Sequence, residues 1–366
     1  MPDSERIEPG SHEAKMPDME GLLVDTAEAE AQVEEHESLM KDPSVKTVSI
    51  RRHGPYNRGG AEGEGHLRGQ LTERDGSFES VNAAAETWVN SLPAEVEVEV
   101  IASPTGMPST LVGLEVKDPS VKEVEEGERR INPRRASATS ALYAAKLRDR
   151  FGAEFGGHLA SADMKEQGVA AREALGLEEP ANARQHDKRL GDIFEYTTAE
   201  ESQYIGKFFA TLSKTYEGGM GNKNFWPDFI RGNLPKELND AYLAAGGDTA
   251  IEKSALALEV IQDHLENPRS DKKEVALLVS HEEVIGSLAY QLQEYLDDNG
   301  LADDETIAAL DANKFGYNEG FDIHVGSEGT ATIEIAGKEL KDIDLNDLKQ
   351  YIASKVAAQE HLQGQE

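Results

Sequence analysis

Three short runs carry side chains suited to binding or attacking an anionic group. The first is Arg51-Arg52-His53-Gly54, directly after the β-rich run 45–50 (VKTVSI). An imidazole beside a guanidinium pairs a nucleophile or base with a cation. The guanidinium fork matches phosphate oxygens two at a time, and glycine lets the backbone come close to an anion. As three residues, RHG is a weak signal, and taken alone its default reading is a plain surface loop. The second run is Ser280-His281-Glu282-Glu283, after the apolar stretch 275–280 (VALLVS) and at the start of a helical pattern. It places His281 beside helix N–H groups, an anion-binding setting. The plainer reading makes Ser280 the N-cap and Glu283 the other half of a capping box, and both readings can hold together. The third run is Arg134-Arg135-Ala136-Ser137-Ala138-Thr139, opening a helix. Two cations at a helix N-terminus oppose the macrodipole, a conflict that a bound anion would relieve. Pairing with Glu125, Glu126 and Glu128 would relieve it too.

These runs need a scaffold, and the pattern of apolar residues supplies one. Residues 45–50 and 95–101 (EVEVEVI) read as strands, the second alternating with period two and so half-exposed on a Glu face; 275–280 reads as a buried central strand. Helical spacing covers 78–92, 136–151, 199–215, 237–266, 283–298 and about 345–360. Phe321, Ile323 and Val325 alternate with polar residues, Gly326 to Gly329 turn the chain, and 330–335 return as a hairpin. Strands separated by helices imply an α/β fold, a three-layer α/β/α arrangement with a mostly parallel or mixed central sheet. In such sheets ligands gather beyond the carboxyl ends of the strands, where His53 and His281 both fall. The octapeptide 41–48 (KDPSVKTV) nearly recurs at 117–124 (KDPSVKEV), a single echo and not a repeat array.

The chain has 366 residues, enough for about two domains or one with a large insertion. Its 37 Lys and Arg against 70 Asp and Glu leave a net charge of −33, which argues against a nucleic-acid backbone or an anionic membrane as partner. There is no cysteine, so thiol catalysis, disulfides and cysteine-ligated zinc are excluded. No dense Asp/Glu/His cluster suggests a metal. Residues 1–19 are polar and acidic with no apolar stretch following a basic one, so no secretory signal is expected and a cytoplasmic location is. The longest apolar runs fall far short of the roughly 20 residues that span a bilayer.

Taken in order, Arg52-His53-Gly54, Leu71-Thr72 with Gly76, Ser103-Pro104, Arg135-Ala136 with Thr139, and His281 after a late apolar strand resemble the histidine phosphatase (phosphoglycerate-mutase-like) superfamily. The resemblance spans about residues 45–150 and 270–298. It departs from the family in the residues 105–134 set between SP and RA, in an LT-to-Gly spacing one residue longer, and in Pro55 after RHG.

The resemblance implies a metal-independent phosphatase without cofactor that hydrolyses a phosphomonoester through a phosphohistidine on His53. Arg52, Arg135 and His281, with Arg58 as a further contact, would hold the phosphoryl group. Such cations would also keep His53 neutral and nucleophilic. Glu282 is the expected proton donor, with Asp192 or Glu195 in 190–195 (LGDIFE) as the alternative. The substrate would be a phosphorylated small molecule or a phosphoprotein. A phosphomutase and a non-catalytic phosphate-binding module are the competing readings. Pro55, where mutases tend to carry Glu, weighs against the first; the joint presence of His53 and His281 weighs against the second. The expected organisation is an acidic tail at 1–40, the α/β core at 41–150 and 270–343, a helical cap insertion at 151–269, and a C-terminal helix and tail at 344–366. Specificity is expected from the insertion, where 222–227 (NKNFWP) either closes over a ligand or simply links helices, with Trp226 in the core.

Overall fold

β-Branched residues on both sides of a strand fit a sheet covered on both faces, and this governs the centre of the molecule. The computed structural model describes residues 39–55, 76–103, 135–152, 157–158, 183–191, 201–266, 272–310, 315–326, 329–335 and 338–363. Strand β1 (Lys46–Arg52) is followed by α1 (Ser77–Ser91), β2 (Val96–Ala102) and α2 (Arg135–Phe151). Then come the short strands β3 (Gly157–His158) and β4 (Ala183–His186), and helices α3 (Ile205–Thr215), α4 (Phe225–Ile230), α5 (Lys236–Ala244) and α6 (Ala250–Glu266). Strand β5 (Lys273–Ser280), α7 (Glu282–Asn299), α8 (Asp304–Ala309), β6 (Gly320–Val325), β7 (Ala331–Ile335), β8 (Lys338–Ile343) and α9 (Leu345–Gln363) complete the described chain.

The eight strands form one sheet in the order β3-β4-β2-β5-β1-β6-β7-β8. From β3 to β1 neighbours are parallel, whereas β6, β7 and β8 form an antiparallel meander against β1. The late strand β5 is thus inserted between β1 and β2. In register, Arg52 lies opposite Ser280 and Ala102 opposite Val279, so the three carboxyl ends stop level with one another. Because β6 runs against β1, the turn that precedes β6 lies at this same edge.

One face of the sheet is covered by α1 and α2, whose Val81, Ala85, Trp88, Leu142, Tyr143 and Leu147 pack on Val98, Val100, Val275, Leu277 and Val279. On the other face α6, α7 and α9 cover Val48, Ile50, Ile101, Ala276, Leu278 and Ile323. The fold is the expected α/β type, three layers deep about a mixed sheet. Within 151–269, β3 and β4 are strands of this sheet and α6 lies on its face, while α3 packs on α5 and α4 on α7. The C-terminal α9 packs on α6 and α7 and buries Leu345, Leu348 and Ile352. Among the described residues no helix is long and apolar enough to cross a membrane.

Local chemistry explains where the observed elements depart from the expected ones. The helix expected over 237–266 is two helices. Gly246 takes φ +71° after α5, and Gly247 lies so close to Tyr242 that a Cβ would sit 2.2 Å from the ring. Thr249 and Glu252 then form a capping box for α6: the Glu252 carboxylate accepts from Thr249 N (2.6 Å) and Thr249 Oγ1 accepts from Glu252 N (3.3 Å). The residues 222–227 run into α4, where Trp226 packs partly buried against the core, its ring 4.8 Å from that of Phe225. The Glu face of β2 is not simply solvated: Glu99 meets His264 of α6 at 3.0 Å, with both side chains largely covered. Strands β3, β4 and β8 and helix α8 were not foreseen.

Candidate active site

His53 is the first residue beyond β1 and is 2 % exposed. Its backbone N–H donates to Ser280 O (2.8 Å), which extends the β1–β5 ladder by one step and fixes the ring above the sheet edge. Nδ1 lies 2.8 Å from Gly54 O. A carbonyl oxygen can only accept, so Nδ1 carries the proton and the lone pair of the neutral ring is on Nε2. Gly54 is required by space: a Cβ there would lie 1.9 Å from Val81 Cγ2. Its N–H donates to Oγ1 of the buried Thr139 (2.9 Å), which ties the residue after the imidazole to α2.

His281, 1 % exposed, follows β5 and is the N-cap residue of α7, with φ −112° and ψ 162°. This corrects the cap assignment to Ser280, whose hydroxyl instead donates to Leu190 O (2.8 Å). His281 Nε2 shares a 2.9 Å hydrogen bond with Ser103 Oγ, and Ser103 N in turn donates to Val279 O (2.9 Å). The two imidazoles meet edge to face with centroids 5.2 Å apart and planes at 66°. Three adjacent strands therefore deliver His53, His281 and Ser103 to one place, although β2 and β5 are far apart in the chain.

Arg52 reaches the same edge from the other face of β1. Its Nη1 donates to Phe315 O (2.8 Å), its Nη2 pairs with Glu282 Oε2 (2.7 Å), and its Cζ stands 4.4 Å from the centre of the Tyr317 ring. Its Nε–H is buried with no hydrogen-bond partner among the described residues. Burial pushes the Glu282 carboxyl above the usual carboxylate range, and the Arg52 charge opposes that rise. The first turn of α7 adds peptide N–H groups and the positive end of a helix dipole to this environment.

Arg51 lies on the face of β1 opposite Arg52, two residues short of His53, and does not join the site because Asp322 of the neighbouring strand takes its guanidinium. It pairs with Asp322 of β6 at 2.6 Å, and Asp322 also accepts from Ser49. The Arg51 charge and these hydrogen bonds hold Asp322 below the usual carboxylate range despite burial. Arg135 opens α2 one turn before Thr139; its side chain, and all of Arg58, Asp192 and Glu195, lie outside the described residues. The contribution that residue patterns missed is the turn 315–319. A Gly-Tyr-Asn-Glu-Gly run before a strand was a turn signal, but only the pairing of β6 with β1 brings it here.

No family model matches this chain, and neither does any curated protein. Among solved structures it is similar to the crystal structure of phosphoglycerate mutase from Bacillus anthracis str. Sterne, at 14% identity over 85% of this chain and 97% of that one, with a TM-score of 0.37.

Proposed function

We propose that this chain is a histidine phosphatase, hydrolysing a phosphomonoester through a phosphohistidine on His53. The observation that carries the reading is the His53 tautomer. Nδ1–H is committed to Gly54 O, so the Nε2 lone pair is the nucleophile, next to His281, and the ring of Tyr317 neighbours both this imidazole and the Arg52 guanidinium. Phosphoryl transfer asks for in-line attack and for positive groups around the equatorial oxygens, and little else from protein. Nε2 attacks phosphorus, the N–P bond forms, and the bond from phosphorus to the ester oxygen breaks. The leaving oxygen takes the proton of Glu282, and the alcohol departs. Glu282, now ionised, accepts a proton from a water that attacks the phosphohistidine; the N–P bond breaks and inorganic phosphate is released. Arg52, His281 and the helix α7 N-terminus stabilise the charge on the transferring group, with Arg135 and Arg58 as further cations. Asp192 or Glu195 is the alternative proton donor. No metal is assigned a step.

The test is hydrolysis of p-nitrophenyl phosphate with EDTA present. His53→Ala is expected to lower turnover by roughly 10³-fold or more, as loss of a nucleophile does, and alkaline quenching of the wild-type enzyme with ³²P-labelled substrate should trap a base-stable phosphoprotein that loses its label in acid. Activity retained in His53→Ala, or no labelled protein together with no turnover, overturns the reading.

A further inference from the structure

The turn 315–319 holds Arg52 from several sides at once. Arg52 N donates to Glu319 O (2.7 Å), Asn318 N donates to Arg52 O (3.2 Å), and Phe315 O accepts from Nη1 (2.8 Å). The turn is itself braced: Gly316 N donates to Glu319 Oε2 (2.6 Å), and Asn318, in the left-handed region at φ 64°, reaches Ser80 Oγ of α1 through Nδ2 (3.3 Å). At its tip the Tyr317 ring lies 4.4 Å from Arg52 Cζ and 5.8 Å from the His53 ring centre, tilted 42° to the imidazole. One side chain thus touches both the group read as nucleophile and the cation beside it.

The chemistry of this contact is specific. A guanidinium carries all five N–H donors in its plane, so an aromatic ring against its face takes none of them. A cation over the face of a tyrosine is attracted by the ring quadrupole. The Tyr317 ring, 4.4 Å from Arg52 Cζ, therefore restrains the guanidinium without consuming a donor. Phe315 O and Glu282 each take one N–H, from Nη1 and Nη2; of the three donors left, the buried Nε–H is on the one nitrogen with no partner among the described residues, and it is the donor assigned to an incoming oxyanion. Without the ring the guanidinium is held only through Nη1 and Nη2, and the added freedom must be lost again on binding at a cost in entropy.

We propose that Tyr317 is a positioning residue of the site: its ring fixes the Arg52 guanidinium beside His53 so that Nε–H meets the phosphoryl oxygen. This inference rests on the phosphatase reading above. It predicts a role for the ring face and none for the hydroxyl.

The experiment compares wild type, Tyr317→Phe and Tyr317→Leu by calorimetric titration with inorganic phosphate and by p-nitrophenyl phosphate kinetics, with melting curves on all three. Tyr317→Phe should match wild type. Tyr317→Leu should bind phosphate roughly 3- to 30-fold more weakly and raise KM by a similar factor, with kcat changed much less and an unshifted melt. Equal phosphate affinity in wild type and Tyr317→Leu overturns the proposal, as does an equal loss in Tyr317→Phe. Should Tyr317→Leu fail to fold, the Arg52 Nε–H resonance of the wild-type protein decides: it is expected to move on addition of phosphate, and an unmoved resonance in a phosphate-saturated protein refutes the assignment. A wild-type protein that neither binds phosphate nor turns over ester removes the phosphatase reading itself, a result distinct from a Tyr317 series without effect.

Discussion

Glu282 is the side chain whose chemistry is most open to measurement. Desolvation raises its pKa, and the nearby Arg52 charge opposes the rise. A proton donor works only while protonated, so a raised pKa extends its range upward, and turnover limited by leaving-group protonation should fall as pH climbs through that pKa. Glu282→Gln is expected to lower kcat roughly 10²- to 10⁴-fold for an alkyl phosphate, whose alkoxide needs the proton. It should affect p-nitrophenyl phosphate far less, and remove the descending limb of the alkyl pH profile. An unchanged alkyl profile would assign proton donation elsewhere, with Asp192 and Glu195 next in line. His53, His281, Arg52 and Glu282 were visible in the sequence because each stands at the end of an apolar run. Tyr317 was not, since a tyrosine in a turn has no periodicity to mark it.

The strands create the site by where they pair. β5 enters between β1 and β2, and Lys273 at its start pins the segment before β1: Nζ donates to Leu39 O (2.8 Å), Val45 O (2.6 Å) and Thr47 Oγ1 (2.9 Å). Thr47 also bonds the buried His324 Nδ1 of β6 at 3.0 Å, so one lysine sits at the junction of three strands. Burial lowers the pKa of Lys273 from 10.5 to about 8, with Asp42 opposing the shift. Between those two values the unfolded chain binds a proton that the native chain does not, so this group makes stability rise with pH across that window. Denaturant titrations from about pH 7.5 to 10.5 should show this upward component in wild type and lose it in Lys273→Met. The substitution should also cost on the order of 1–3 kcal/mol near pH 7 by stranding buried acceptors; equal slopes in the two proteins would contradict the argument. Periodicity located β1, β2 and β5 to within a few residues, because each is long and carries a strand pattern, β-rich in β1, alternating in β2 and continuously apolar in β5. It could not locate β4 or β8, whose short polar segments become strands only through their neighbours.

A net charge of −33 over 366 residues means that the native fold works against its own field. The buried Arg51–Asp322 pair and the surface pairs relieve this locally, not globally. Salt should therefore stabilise the protein. Raising NaCl from about 0.01 M to about 0.5 M shortens the screening length from about 30 Å to well under 10 Å and should lift the melting temperature by several degrees. A melting temperature that stays level or drops would mean the acidic groups are already paired in the fold.

Local pattern is enough to say that this chain builds a layered α/β sheet and to nominate two histidines and an arginine at strand ends, because strand and helix periods are written in neighbouring residues. Which ends meet is a different question, settled by long-range pairing. Placing β5 between β1 and β2 puts His281 5.2 Å from His53. Running β6 against β1 carries Tyr317 and the Phe315 carbonyl to Arg52. The same pairing sets Asp322 beside Arg51 and holds that guanidinium short of the site. These outcomes follow from hydrogen-bond register and shared burial between segments distant in the chain, quantities that no short window of sequence contains.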